Sequence, residues 1–123
     1  EMYRTKCHVH PFLEPYGAGN QWKSRIIINT TPLGMHGITE DFPGFDFLDR
    51  VEKDALLCDL IYSPARTGFL IEGEKRGLRI LGGIHMLIEQ ALEADRLYLG
   101  AELMREKAYN RIIAHLRGKV EGI

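Results

Sequence analysis

The hydrophobic pattern along the chain alternates between short apolar runs and stretches of helical spacing. Arg25 is followed by Ile26, Ile27 and Ile28 and then by Asn29, a β-branched run closed by a polar residue, which predicts a buried strand of parallel type. Pro32, Gly34 and Gly37 then impose a loop. Residues 55–62 (Ala-Leu-Leu-Cys-Asp-Leu-Ile-Tyr) predict a second strand, stopped by Pro64. Thr67 is placed to cap a helix running to about Arg76, with Gly77 as its left-handed terminator. Leu78 to Leu81 predict a third strand, and Gly82 and Gly83 break the chain again. Apolar residues at 84, 87, 88, 91 and 92 then recur at helical spacing. A last amphipathic helix is expected over about 102–117, with Leu103, Met104, Ala108, Ile112, Ile113 and Leu116 on one side and Glu102, Arg105, Glu106, Lys107 and Arg111 as its solvated charges.

Strands alternating with helices imply an α/β fold with a parallel sheet. About three strands are present, so the expectation is part of a doubly wound, Rossmann-like sheet with layered helices and C-terminal helices. Residues 1–24 are loop-rich and poorly periodic, residues 25–100 form the sheet-and-helix unit, and residues 101–123 form the C-terminal amphipathic helix. No internal repeat or low-complexity segment is apparent.

Composition narrows the function. The chain has 123 residues, enough for one domain, and is 45% hydrophobic and 27% charged, ordinary for a globular protein. A formal net charge of -1 leaves no basic surplus for a sequence-independent grip on nucleic acid. No apolar run approaches the roughly 20 residues that cross a bilayer, and no signal pattern opens the chain. It begins with Glu1 rather than Met and is read as a portion of a longer protein. Two cysteines, Cys7 and Cys58, make no disulfide framework, and Cys58 in its apolar run reads as a small buried hydrophobe. A reducing cytoplasm is the simplest setting.

Candidate chemistry gathers where each strand ends. In open α/β sheets, ligands bind outside the carboxyl ends of the strands. Here those ends are Asn29-Thr30-Thr31-Pro32-Leu33-Gly34-Met35, Asp59-Leu60-Ile61-Tyr62-Ser63-Pro64 and Gly82-Gly83-Ile84-His85-Met86-Leu87. Glycine lets a flat ring approach the backbone, and Thr, Tyr and Gln direct hydrogen bonds to hydroxyls. Asp59 reads as a strand-end aspartate that caps the following loop, with a catalytic acid as the rival reading. Cys7, His8 and His10 lack a standard zinc spacing, so no metal site is expected. His36 and His115 read as surface histidines.

At Ile28-Asn29-Thr30-Thr31-Pro32-Leu33-Gly34-Met35, Asp59-x-x-Tyr62-x-Pro64-x-x-Thr67, Gly77, Gly82 and Met86-Leu87-x-x-Gln90 the sequence resembles shikimate dehydrogenase. Order and spacing agree from about residue 24 to residue 100, the C-terminal half of the family's nucleotide-binding domain. The resemblance implies an oxidoreductase that interconverts 3-dehydroshikimate and shikimate in aromatic amino-acid and chorismate biosynthesis, usually with NADPH. The residues that choose between NADP and NAD lie upstream in the family's fold, so both stay open. It implies that Thr30 and Thr31 sit in the loop that passes the cofactor, that Leu60 lies beside the nicotinamide, and that the carbonyl of Gly83 holds its carboxamide. Met86 would pack against the nicotinamide pocket, while Tyr62 and Gln90 would contact the substrate.

Three departures stand out. His85 replaces what is often Gly or another small or polar residue, predicting a stiffer or further-reaching loop. Asp95 and Tyr98 replace the usual Phe and Trp of the helix that packs back on the substrate domain. The family's catalytic lysine lies in an Asn-Val-Thr-x-Pro-x-Lys context, which none of Lys6, Lys23, Lys53, Lys75, Lys107 or Lys119 shares. The phosphate-cradling Gly-x-Gly-x-x-Gly is also absent, since Tyr16-Gly17-Ala18-Gly19-Asn20 follows no predicted strand. No catalytic residue is therefore assigned to this chain. It is expected to bind cofactor poorly and turn over nothing alone, the remainder of the enzyme with its substrate domain being the implied partner. Two other readings stay open: a free-standing module that binds a partner or forms a homo-oligomer through a truncated sheet, and a dehydrogenase acting on quinate or on both compounds.

Overall fold

A computed structural model describes residues 24–100, 105–117 and 119. Three parallel strands, β1 (Ile26–Asn29), β2 (Leu56–Asp59) and β3 (Arg79–Leu81), lie in sequence order across one sheet. The register pairs Ile27 with Leu57 and Leu57 with Ile80, and it sets Asn29 beside Asp59. A 3-10 turn (Asp46–Arg50) interrupts the long connection from β1 to β2, and helix α1 (Gly68–Lys75) joins β2 to β3. Helices α2 (Gly83–Leu99) and α3 (Arg105–Leu116) follow. The α/β class and the parallel sheet are as the periodicity predicts.

Side chains alternate across a strand, so Ile27, Leu57 and Ile80 share one face. They meet Phe69 and Leu70 of α1, with Leu48, Val51, Ala55 and Leu78, in the main core. Phe42, Phe45 and Phe47 close the core's end, with Phe42 stacked on Phe69 at a centroid separation of 5.5 Å. Gly73 in α1 has a reason to lack a side chain: a Cβ there would lie 2.3 Å from Leu57 Cδ1, so the glycine lets α1 settle onto β2. Thr67 caps α1 by accepting the Leu70 N–H, and Gly77 ends it at φ 74°. The Leu78 N–H then donates to the Gly73 carbonyl at 3.0 Å, closing a Schellman motif. Arg76 donates to Asp49 and to Glu72, each at 2.6 Å, tying the 3-10 turn to the end of α1. Hydrogen bonds from Lys75 and Arg76 hold the Glu72 carboxyl below its usual range. The opposite face of the sheet carries Ile26 and Ile28, both more than half exposed.

Helices α2 and α3 pack through a second, smaller cluster of Ile84, Ile88, Leu92 and Ile113. Arg105 bridges from α3 to Glu89 on α2. His85 Nδ1 pairs with the Tyr109 hydroxyl, the rings stacking at a centroid separation of 6.2 Å. Burial, and next the negative charge of Glu89, push the Tyr109 phenol above its ordinary range. The unfolded chain would release that proton first, so this contribution is present below the unfolded value and is lost at higher pH. Replacing Tyr109 by Phe removes the hydroxyl and is expected to weaken the hairpin by about 1 kcal/mol in urea denaturation. An unchanged midpoint would show that the pair contributes nothing.

Several details depart from the sequence expectations. β2 stops at Asp59, so residues 60–62 are irregular, since β3 ends opposite Cys58 and offers nothing further to pair with. Cys58 is half-buried on the face opposite Leu57 rather than fully inside, and partial burial pushes its thiol up. His85 belongs to the first turn of α2, not to a loop. Leu103 and Met104, the Cys7-His8-x-His10 cluster and the Tyr16–Asn20 glycine segment lie outside the described residues.

Candidate functional site

Because the three strands are parallel, the loops after Asn29, Asp59 and Leu81 leave the sheet at one edge. The buried polar residues among those described, Asn29, Asp59 and Thr67, all sit there. Asp59 is 2% exposed, and a buried carboxylate is costly unless hydrogen bonds replace its water. Three donors do so. Its Oδ1 accepts from Asn29 Nδ2 at 3.2 Å and from the Ile61 N–H at 2.9 Å, while its Oδ2 accepts from Thr67 Oγ1 at 2.6 Å.

Asn29 repeats the device one strand away. Its Oδ1 accepts from the Thr31 N–H at 3.0 Å and from Thr31 Oγ1 at 2.7 Å. A side-chain oxygen that takes the N–H two residues on makes an Asx turn, and here two such turns stand on paired positions of neighbouring strands. The Leu33 N–H donates to Thr31 Oγ1 at 3.3 Å, and the His36 N–H reaches across to the Ser63 carbonyl at 2.9 Å. The peptide bond between Ser63 and Pro64 is cis.

Gly83 fastens the third loop to the second. Its N–H donates to the Ile61 carbonyl at 3.2 Å. A Cβ built on Gly83 would lie 2.4 Å from the Leu60 carbonyl oxygen and 2.6 Å from that of Ile61. No side chain fits between α2 and the end of β2, so the helix begins directly against the strand.

Around this junction the sequence-predicted residues take distinct places. Leu60, Tyr62 and Met86 are exposed, as are Thr30, Thr31 and Gln90, while Gly83 is buried. Met86 and Gln90 stand four residues apart on α2, hence on one face, away from the buried stripe of Ile84, Ile88 and Leu92. Gln90 lies seven residues along α2 from Gly83, about 10 Å up the axis. Neither the Tyr62 nor the Gln90 side chain is hydrogen-bonded to another described residue, so each polar end is available. The Thr31 hydroxyl, in contrast, is engaged by Asn29 and Leu33. Asp59 caps its own loop, as its strand-end position predicts. The linkage from Asn29 through Asp59 to Thr67 was not evident in the sequence, where the three residues read as separate strand-end and cap signals.

Among the described residues no cluster of three or more side chains could hold a metal ion, and no helix is long and apolar enough to cross a membrane. No protein-family model matches the chain. Among curated proteins, it is 36% identical over 94 residues to the shikimate dehydrogenase (NADP(+)) of Ignicoccus hospitalis, covering 76% of this chain and 34% of that protein. A solved chorismate mutase/shikimate 5-dehydrogenase fusion protein from Clostridium acetobutylicum superposes with a TM-score of 0.68 at 26% identity, covering 80% of this chain and 36% of that one. Quinate dehydrogenase from Corynebacterium glutamicum, solved in complex with NAD, gives a TM-score of 0.58 at 29% identity, covering 75% and 32%. The chain thus spans about a third of the length of the curated relatives it matches. Over the matched three quarters of its length, this chain is similar to shikimate dehydrogenases.

Proposed function

We propose that this chain supplies the nicotinamide side, and part of the substrate contacts, of a cytoplasmic NADP-dependent dehydrogenase that interconverts 3-dehydroshikimate and shikimate. The observation that carries the reading is the junction at Gly83. It seats the start of α2 against the end of β2, and the exposed Leu60, Tyr62, Met86 and Gln90 belong to the two segments that meet there. Exposed Leu60 and Met86 are apolar side chains suited to contact with a flat ring, and the phenol of Tyr62 and the carboxamide of Gln90 suit a polyhydroxylated substrate. Thr30 and Thr31 lie in the loop along which the cofactor passes. NADPH, when bound, supplies the hydride for the substrate carbonyl. The group that gives the carbonyl oxygen its proton, and the anchor for the pyrophosphate, belong to parts of the enzyme beyond these residues. Residues 25–100 then form the C-terminal half of the nucleotide-binding domain, and α3 (Arg105–Leu116) belongs to the segment that follows it.

Substituting Gln90 by Ala in the full-length protein that carries this chain removes a hydrogen bond to a substrate hydroxyl. The KM for shikimate is expected to rise on the order of tenfold, with a smaller change in kcat. Steady-state kinetics that match the parent would remove Gln90 from the site.

Quinate is the second substrate to assay, since quinate dehydrogenase is among the structural relatives. Parallel assays with shikimate and quinate, each with NADP and NAD, separate the two readings. The exposed Ile26 and Ile28 of β1 favour self-association of the chain on its own.

A further inference from the structure

We propose that Asn29 is a positioning residue of the site, its carboxamide fixing the spacing between the Thr30–Thr31 loop and the Tyr62 loop. The inference rests on the reading of this edge as the cofactor and substrate edge. Asn29 is 5% exposed and is bonded at both ends of its amide. Nδ2 donates to Asp59 Oδ1 at 3.2 Å and to the Leu33 carbonyl at 3.5 Å, and Oδ1 accepts from the backbone and the hydroxyl of Thr31. The first loop is thereby held at Thr31 and at Leu33. The same Asp59 oxygen that takes the Asn29 amide also takes the Ile61 N–H, the residue before Tyr62. One acceptor therefore joins the two loops, and its partner oxygen ties both to the start of α1 through Thr67.

The chemistry of the linkage demands an amide. The atom facing Asp59 must donate, and the atom facing Thr31 must accept; a carboxylate can only accept and an aliphatic side chain does neither. Asn29 touches neither ring nor substrate. It acts through the loops that do.

Asn29→Asp in the full-length protein tests the role through pH. Asp59 is the one ionisable group among the described residues that is hydrogen-bonded to position 29. Two carboxyl groups at that separation are stable only while they share a proton, which then donates where the amide did. Amide exchange and kinetics would be followed from about pH 5 to about pH 9. At the alkaline end, the amides of Thr31, Leu33 and Ile61 are expected to exchange on the order of tenfold faster than in the parent, while those of Leu57 and Ile71 stay protected. The KM for NADP and for shikimate should rise by a similar factor there. Both effects should fade at the acid end, a recovery that simple loss of packing would not produce.

Exchange equal to the parent at every pH overturns the proposal, as does faster exchange with unmoved kinetics. Exchange is read independently of turnover, so a full-length protein that does not act on shikimate overturns the functional reading, whereas unchanged exchange overturns the role of Asn29. If Asn29→Asp does not fold above neutral pH, Thr31→Val removes the hydroxyl that bonds Asn29 and also accepts the Leu33 N–H, so the Ile61 amide, which that hydroxyl does not touch, is read instead. About tenfold faster exchange at Ile61 and a raised KM for shikimate are then expected, and parental values of both overturn the proposal.

Discussion

Gly83→Ala is expected to destabilise the chain by about 3 kcal/mol or more, the upper end of what overpacking costs. The added methyl would sit 2.4 Å from the Leu60 carbonyl oxygen, 2.5 Å from its carbon and 2.6 Å from the Ile61 carbonyl oxygen. All three are backbone atoms held in place by the β2 end and by the Asp59 cap, so none can swing aside as a side-chain tip would. The helix must move instead, and Met86 and Gln90 move with it. Two neighbouring glycines give the contrast. At Gly82 the closest atom is the Ala65 carbonyl oxygen at 3.1 Å, and at Gly73 it is the terminal methyl of Leu57. Gly82→Ala needs a shift of only a few tenths of an ångström, so its cost should stay near 1 kcal/mol. Urea denaturation of the three variants ranks them, and a Gly83→Ala midpoint equal to that of Gly82→Ala would refute the close approach.

Asp59→Ala is the second large effect, expected at about 3–5 kcal/mol. The carboxylate answers Asn29 Nδ2, the Ile61 N–H and the Thr67 hydroxyl, and truncation orphans all of them in a site from which water is excluded. An unsatisfied buried donor costs about 1–3 kcal/mol, more than the net worth of the bond it lost. Asp59→Asn separates this from the loss of volume. Its retained oxygen still serves Asn29 and Ile61, while its new amide meets a Thr67 oxygen that already accepts the Leu70 N–H. About 1–2 kcal/mol is expected for it. Equal costs for the two variants would mean that the cavity, not the hydrogen bonds, sets the loss.

Much of this fold was legible because its signals are local. The Ile26-Ile27-Ile28 run, the Thr67 cap and the Gly77 stop depend on residues a few positions apart, and each stands where the pattern put it, although β1 is not the buried strand expected, since Ile26 and Ile28 are exposed. The overlong second strand shows where locality fails. Leu60, Ile61 and Tyr62 are as apolar as the residues that pair, yet Ile61 is buried beneath the start of α2, and Leu60 and Tyr62 face outward. The 3-10 turn at Asp46–Arg50 escaped notice because Pro43 and Gly44 mark only a loop. What shapes it is the packing of Phe47 against Phe69, more than twenty residues away, with Phe45 joining the same core. At the site, residue identities were legible and their connections were not. Asn29 and Asp59 are thirty residues apart, and only the parallel register makes them partners.

His85 illustrates the same limit. Its place after two glycines suggests a loop residue reaching toward a ligand, whereas its ring pairs with Tyr109 on α3. In the structure, His85 is part of how α3 is held.

Under the proposed function, the strand-end edge of this chain is one side of a dehydrogenase site that other parts of a longer protein complete. The most direct test is the reduction of NADP by shikimate, measured at equal concentrations for the full-length protein and for these 123 residues alone. Steady turnover by the full-length protein and none by the chain is the expected result. Turnover by the chain itself, or a folded full-length protein without it, would contradict the proposed function.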